Sequence, residues 1–236
     1  MTTIHFLWMG TIVAIAACVQ GTLGIGFALV VAPVLAVLNP QLLPVSLLLL
    51  MVPLNLFTLL REHHAFDWPG AGWITLGRAV GTLAGAVILI RLTSHGLNLV
   101  VGVATIAVAI VTMAAPAFSP DRKAFVGVGL LTGISETATG IGGPPLALAY
   151  QHHRPEVLRS TVAGCFLLGE LLSIGVLAML GRATSQQALS AALLLPFLAI
   201  GGLASSFARR WVNARTLRAI VLLFAVISGA FLIARG

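Results

Sequence analysis

Charged side chains are scarce in this chain, and their absence limits the folds that are open to it. Only 8% of its 236 residues are charged, whereas soluble domains average about 25%. No Asp, Glu, Lys or Arg precedes Arg61. A soluble protein with so few polar side chains could not cover its surface with them. Because about 20 apolar residues cross a bilayer as a helix, the sequence predicts an integral membrane protein of several transmembrane helices with almost no soluble domain.

Other features of soluble or cofactor-dependent proteins are also missing. The two cysteines, Cys18 and Cys165, lie in apolar runs and predict neither a disulfide framework nor a thiolate metal site. The histidine pairs at residues 63–64 and 152–153 would point about 100° apart on a helix, which is unsuited to a metal site. The net charge of +7 comes from basic residues at the ends of apolar runs, as in membrane loops. We therefore expect no cofactor, no metal and no nucleic acid.

Several motifs recur at a nearly constant distance along the chain. The recurring segments are 24–26 with 140–142, 39–43 with 154–158, and 81–85 with 201–205, at shifts of 116, 115 and 120 residues. The shift of 115 also pairs Asn55 with Glu170. Three matches in the same order predict two repeats, residues 1–117 and 120–236, that together form one membrane domain.

The positions of the basic residues favour inverted halves. If residues 4–38 and 123–151 each enter and leave the membrane on one side, nine basic residues share a side and three lie opposite, as the positive-inside rule expects. Full spans would divide them five to seven. The nine are Arg61, Arg122, Lys123, Arg154, Arg159, Arg209, Arg210, Arg215 and Arg218, and the three are Arg91, Arg182 and Arg235. We therefore expect an all-α polytopic fold with two inverted repeats of about four helical segments each. The first segment of each repeat would be broken or re-entrant, and both termini would lie outside the cytoplasm.

Two glycine-rich interruptions, at residues 20–26 and 136–145, are the most informative segments. In lipid, a non-helical backbone is tolerated only where protein or a water-filled cavity surrounds it. A helix that restarts after a break presents free N–H groups and the positive end of its dipole, which suit an anion. We expect the breaks to converge near the midplane as a substrate site, although close helix packing is the alternative use of these glycines. The predicted members at the breaks are Thr22, Gly24, Gly26, Thr139, Gly140, Gly142 and Gly143.

These motifs resemble those of the TauE/SafE sulfite exporter family. The likeness rests on the glycine motif at residues 21–27, on the apolar run from it to Pro33, and on residues 133–146 of the second half. It extends over essentially the whole chain and implies a multi-pass transporter of the inner (plasma) membrane. It also implies a small anionic substrate, such as sulfite, an organosulfonate or another organic anion. Phe27 stands where the family commonly has a third glycine, so the two breaks are not equivalent.

Ionisable side chains inside membrane segments are costly and mark functional sites. Arg78 would offer its guanidinium group to a sulfite or sulfonate oxygen, and snorkelling towards the membrane boundary is the alternative. Because burial raises the proton affinity of a carboxylate, Glu136 and Glu170 are candidates for carrying a coupled proton. The alternative for these two is a structural pairing, for example with Arg78. Gln20 and Asn55, their counterparts in the first repeat, would give polar support.

The leading hypothesis is a secondary transporter that exports small sulfur-containing or organic anions by alternating access around the midplane site, with protons as coupling ions. A passive anion channel is the alternative. We do not expect an enzyme, because no histidine lies in mid-segment as a general base and Ser135 lacks the Gly-x-Ser-x-Gly setting of a nucleophile. The expected partners are the anion, protons and the lipid bilayer. The sequence leaves open a homodimer, the exact substrate and the direction of transport.

Overall fold

The structure, a computed structural model, describes residues 3–114 and 120–235. In these residues the chain forms ten α-helices, with two short 3-10 segments at Pro40–Leu42 and His63–Ala65. The helices are α1 (Thr3–Leu23), α2 (Phe27–Leu38), α3 (Val45–Glu62), α4 (Trp68–Arg91), α5 (Ser94–Ala114), α6 (Arg122–Thr139), α7 (Gly143–Tyr150), α8 (Pro155–Met179), α9 (Ser185–Trp211) and α10 (Ala214–Arg235). The junction predicted between residues 117 and 120 lies mostly outside the described residues.

The predicted membrane character is confirmed by the lengths and surfaces of the helices. Among the described residues, six helices are long and apolar enough to cross a bilayer, namely α1, α3, α4, α8, α9 and α10. Large apolar side chains face outward, as Phe207 does with 72% of its surface exposed, while Arg78 and Glu170 are buried. A protein that hides its charges and exposes its leucine and phenylalanine side chains is built for lipid. The chain is therefore a multi-pass membrane protein.

Glycines allow α4 and α6 to lie in close contact. A Cβ added at Gly77, Gly81 or Gly85 would lie within 2.6 Å of a backbone carbonyl oxygen of α6. The oxygens concerned belong to Val126, Leu130 and Ile134 respectively. Since the residue numbers rise together on both helices, α4 and α6 run parallel. Small residues at this spacing let helix backbones approach each other in a membrane.

The pair formed by α1 and α9 is built in the same way. A Cβ at Gly201 would lie 2.0 Å from the carbonyl oxygen of Ala14, and one at Gly21 would lie 2.2 Å from Ser205 Oγ. These contacts again rise together in number, so α1 and α9 also run parallel. In each parallel pair, the fourth helix of one half packs on the first helix of the other half.

Two further helix pairs run in opposite directions. Helix α3 lies against α8, where Asn55 bonds to Glu170 and Glu62 pairs with Arg159. Helix α5 lies against α10, where a Cβ at Gly102 would lie 2.9 Å from Cγ1 of Ile233 and one at Gly229 would lie 2.7 Å from Cγ1 of Ile106. The antiparallel α3–α8 pair brings the middle of each half to the core of the protein, and the candidate site lies there.

The chain is interrupted at both glycine motifs, as the sequence predicts. Helix α1 ends at Leu23 and α2 begins at Phe27, while α6 ends at Thr139 and α7 begins at Gly143. The ring of Phe125 in the first turn of α6 stacks on Tyr150 in the last turn of α7, with centroids 5.7 Å apart. The segment α6–α7 thus starts and finishes at the same end of the molecule.

Candidate functional site

The two breaks begin with the same backbone geometry. Gly24 and Gly140 have φ angles of 86° and 82°, and each N–H donates to the carbonyl oxygen four residues earlier, at 2.7 Å. Those carbonyls belong to Gln20 and Glu136. Positive φ suits glycine, because it has no Cβ to clash with the backbone. The sequence therefore predicted the positions at which the chain leaves the helix.

The breaks also contact each other. A Cβ built on Gly143, the first residue of α7, would lie 3.7 Å from Cγ2 of Ile25 in the first break. Around this contact, Gly24 packs on Leu158 and Arg159, Gly26 packs on Val19, and Gly140 packs on Leu47. The predicted glycines are thus gathered from both halves into one buried region.

The restart of α2 differs from the expectation that its N–H groups are free for an anion. The N–H of Phe27 donates to Oε1 of Gln20 at 3.1 Å. An unpaired N–H in a dry interior is costly, and the side chain one turn before the break removes that cost. At the first break, the protein itself therefore occupies one donor of the helix terminus that was predicted to receive substrate.

At the second break a carboxylate takes the corresponding position. Glu136 lies beside the restart of α7, because a Cβ at Gly142 would be 2.7 Å from Oε2 of Glu136. A negative charge near a helix N-terminus is favourable. Gly142 therefore leaves room for the Glu136 carboxylate at this helix end.

Glu136 is also paired with Arg78 from α4. Nη2 of Arg78 donates to Oε2 of Glu136, and their side chains are 1% and 0% exposed. Arg78 therefore does not snorkel, and the pairing that the sequence left as an alternative is present. Nε and Nη1 of Arg78 and Oε1 of Glu136 have no hydrogen-bond partner among the described atoms. Buried polar atoms are normally satisfied, so this pair retains unused capacity for a ligand.

Two residues of α8 that sequence reasoning missed position this guanidinium group. A Cβ at Gly169 would lie 1.8 Å from Nη2 of Arg78, so only glycine leaves space there. The ring of Phe166 lies 5.6 Å from the guanidinium carbon of Arg78, within the range of a cation–π interaction. Gly169 immediately precedes Glu170, and a small residue beside an intramembrane carboxyl was the available signal.

A chain of buried amides joins the first break to Glu170. Nε2 of Gln20 donates to Oδ1 of Asn55 at 2.8 Å, and Nδ2 of Asn55 donates to Oε1 of Glu170 at 2.6 Å. The Phe27 N–H can only donate, so the Gln20 oxygen must face it and the Gln20 amide nitrogen must face Asn55. Asn55 then accepts with its oxygen and donates with its nitrogen. Oε1 of Glu170 must then accept. Oε2 of Glu170 has no hydrogen-bond partner among the described atoms.

The predicted threonines bond to their own helices. Thr22 donates to the carbonyl oxygen of Cys18 at 2.7 Å, and Thr139 donates to that of Ser135 at 2.6 Å. Thr139 also accepts from the N–H of Ile141 at 3.2 Å. Such local bonds use up the hydroxyl proton, so neither threonine donates to a ligand in this arrangement.

A crevice of about 310 Å³ opens at one end of the molecule and leads to the breaks. Its lining includes Ile25 of the first break and, from α8 and α10, Arg159, Arg215 and Arg218. Ile25 also lies beside Gly143, so the basic crevice reaches the first break near the point where the two breaks approach each other. We refer to it below as the basic crevice.

Beside the basic crevice, three arginines share one carboxylate, which the sequence did not predict. Glu62 at the end of α3 accepts from Nε of Arg159 at 3.1 and 2.8 Å and from Nη1 of Arg209. Nε of Arg61 lies 3.4 Å from the same carboxylate. Glu62 stands at a helix end, where a charged residue is usually a loop charge, so only the structure shows its role. In the described part of the chain, no group of three or more His, Cys, Asp or Glu side chains could hold a metal ion.

Comparison with known proteins identifies the family. A sequence model described as "Sulfite exporter TauE/SafE" matches residues 9–232. The chain belongs to this family. No curated protein and no solved structure matches the chain. Membership in TauE/SafE makes the chain a membrane transporter of an anion-exporting family, in agreement with its buried arginine and its lipid-facing surface.

Proposed function

We propose that this chain is a secondary transporter that exports a small sulfur-containing or organic anion, such as sulfite or a sulfonate, across the plasma membrane. The observation that carries the proposal is the buried guanidinium group of Arg78, whose Nε and Nη1 have no partner among the described protein atoms. Unpaired donors are costly in a dry interior. An oxyanion offers several acceptors to such a planar donor group. Family membership supports the same substrate class.

The proposed substrate site lies between Arg78 and the contact of the two breaks. Arg78 supplies the charge, and the small residues Gly142 and Gly143 let an anion approach the start of α7. The other glycines of the breaks, Gly24, Gly26 and Gly140, have positive φ and shape the turns. Thr22 and Thr139 stabilise the adjoining helix ends through their bonds to local carbonyls.

Protons are the proposed coupling ions because of the charge balance at the centre. Arg78, Glu136 and Glu170 are all buried; Arg78 pairs with Glu136 and lies against Gly169, the residue before Glu170. With both carboxyls ionised the centre would carry an excess negative charge, which burial disfavours, so we assign a proton to Glu170. An anion that pairs with Arg78 deprives Glu136 of its counter-charge, so Glu136 accepts the proton of Glu170, and Glu170 takes up another proton from the aqueous side. Binding of the anion and of the proton therefore favour each other.

Alternating access of two inverted repeats is the proposed mechanism. A two-fold axis in the membrane plane makes equivalent helices of the two repeats run in opposite directions. The antiparallel pairs α3–α8 and α5–α10 agree with this arrangement, as do the parallel pairs α4–α6 and α1–α9, which exchange partners between halves. Rocking of one half against the other would open the site to each side of the membrane in turn.

Reconstitution into liposomes tests the proposed function. We expect saturable flux of sulfite or a small sulfonate that changes with an imposed pH gradient. Glu170→Gln keeps an acceptor for Asn55 and should leave anion binding within about twofold of the wild type, while flux loses its dependence on pH. Glu156→Gln, an exposed carboxyl in the same helix, is the matched control and should behave as the wild type.

Three outcomes would contradict this proposal. Flux that rises linearly with concentration and ignores pH would indicate a passive anion channel. Absence of flux above that of empty liposomes, for every anion tested, would refute transport of this substrate class. An unchanged pH dependence in Glu170→Gln would remove Glu170 from the coupling mechanism.

A further inference from the structure

The basic crevice carries several positive charges. Three of its lining residues are arginines, namely Arg159, Arg215 and Arg218. No carboxylate is among the described residues that line it. Low-dielectric walls of one charge sign concentrate ions of the opposite sign.

A crevice at the opposite end of the molecule gives an internal comparison. It has nearly the same volume, about 300 Å³, and is lined mainly by neutral residues such as Gln41, Thr93 and Gln187. Its one charged lining residue is Arg182, which donates to the carbonyl oxygen of Ile90 at 3.3 Å. Size is therefore shared by the two crevices, and positive charge is concentrated in one of them.

The neighbouring carboxylate does not cancel this charge. Glu62 is shared among Arg159, Arg209 and Arg61, so three positive charges face one negative charge. Nε of Arg159 is shared by both carboxylate oxygens of Glu62, which holds that guanidinium group at the wall of the crevice. Nε of Arg61 and Nε of Arg209 are buried and have no hydrogen-bond partner among the described atoms. The region is electropositive even before Arg215 and Arg218 are counted.

We infer that the basic crevice is a second anion-binding site, separate from the central one, which holds a small free oxyanion such as sulfite or a sulfonate before it reaches the breaks. The inference rests on the proposed function and extends it to the approach path. A cavity of about 310 Å³ is at the lower end of the range for small-molecule sites, so the ligand has few atoms. The Thr22 hydroxyl donates to the carbonyl oxygen of Cys18, so the arginines provide the donors that recognise the anion.

The path from this site to the centre is short. Ile25 lines the crevice and also contacts Gly143 at the start of α7. Gly142, one residue earlier, contacts the carboxylate that pairs with Arg78. An anion bound in the crevice thus stands one side-chain layer from the proposed substrate site, and movement at the breaks would admit it.

The test compares charge removal inside and outside the crevice. Arg215→Ala should raise the KM for sulfite flux about tenfold, the loss expected for one charge-assisted hydrogen bond, with the maximal rate within about twofold. Arg215→Lys should recover most of the affinity at low salt, because it retains the charge. Arg210→Ala removes the same charge from an exposed position at the same end that does not line the crevice, and it should leave KM unchanged.

Equilibrium binding to the purified protein provides a readout that does not depend on transport. With sulfite and with sulfate as probes, the wild type should bind two anions per chain and Arg215→Ala/Arg218→Ala should bind one. Suppose that the wild type transports nothing but binds one anion more than the double variant. That result would refute the proposed function and retain the crevice site. One bound anion in both proteins would overturn the crevice site.

Two further results would also overturn the inference. An equal rise in KM for Arg210→Ala would mean that general surface potential, and not this crevice, attracts the anion. A phospholipid headgroup carries similar chemistry, so the binding measurement is repeated in nanodiscs of neutral and of anionic lipid. Loss of the second bound anion in anionic lipid alone would assign the crevice to a lipid headgroup.

Discussion

The two breaks begin with the same turn of the backbone and differ in the side chain that stands one turn before it. In each, a glycine at positive φ donates to the carbonyl oxygen four residues earlier, and a short helix restarts within three residues. The residue that provides this carbonyl is Gln20 in the first break and Glu136 in the second. Gln20 is neutral and bonds to Phe27 and Asn55. Glu136 is a carboxyl group that pairs with Arg78.

The difference between Gln20 and Glu136 gives the two similar breaks different electrostatic requirements. A neutral amide can satisfy a helix end without a counter-ion, whereas a buried carboxylate requires one. The break that contains Glu136 therefore requires Arg78 of α4 as a counter-ion, and Gly169 leaves the space that the Arg78 side chain occupies. We interpret the first break as the mainly structural one and the second as the one that meets the anion.

The largest difference between the two breaks should be the loss of stability when Arg78 or Gln20 is replaced. Arg78→Ala leaves the Glu136 carboxyl buried without its partner, which costs about 3–5 kcal/mol of stability. Gln20→Ala leaves only neutral groups unpaired and should cost about 1–3 kcal/mol. Unfolding in detergent, followed by circular dichroism, measures both.

A double variant separates stability from binding. Arg78→Met/Glu136→Met removes both charges and should recover most of the stability lost in Arg78→Ala, yet bind no anion at the centre. An Arg78→Ala protein that is as stable as the wild type would show that the ion pair does not hold the second break together.

Gly142 tests whether the position of the Glu136 carboxylate matters. In Gly142→Ala the new Cβ would lie 2.7 Å from Oε2 of Glu136 and must displace it. Overpacking of this kind costs about 1–3 kcal/mol, and we expect anion affinity to fall about tenfold. Gly72→Ala is the matched control, because no atom lies within 4 Å of the added Cβ. Equal affinities in the two variants would contradict the assigned role of Gly142.

The two threonines should show the smallest difference. Thr139→Val removes a bond to the Ser135 carbonyl oxygen and leaves the N–H of Ile141 without its acceptor, a loss of about 1 kcal/mol. Thr22→Val removes one bond to its own helix and should cost less than about 0.5 kcal/mol. Flux should stay within twofold in both, given their local bonds. A tenfold loss of flux in Thr22→Val would restore it as a substrate contact.

Much of the candidate site could be predicted because its features are local in sequence. Glycine at residues 24 and 140 requires no partner to indicate a break, and an arginine or glutamate inside an apolar segment is conspicuous by itself. The pairings could not be predicted in the same way. Arg78 and Glu136 are 58 positions apart, and Asn55 and Glu170 are 115 apart, so only helix packing decides that they meet.

The sequence did not predict residues whose role depends on neighbours from other helices. Gly169 matters because Arg78 passes over it, and Glu62 matters because Arg159 and Arg209 reach it from α8 and α9. In sequence each has an ordinary explanation, as a packing glycine and as a charge at a helix end.

By itself, the sequence determined that the protein lies in a membrane, that two helices are broken at glycines, and that one break carries a neutral amide and the other a carboxyl group. These properties follow from hydropathy, backbone freedom and side-chain chemistry, which act over a few residues. The tertiary structure alone decided that Gln20 caps α2, that Arg78 is held by Glu136, and that arginines from two helices line one crevice. Those outcomes depend on which helix faces pack together, and packing joins residues that lie far apart in the chain.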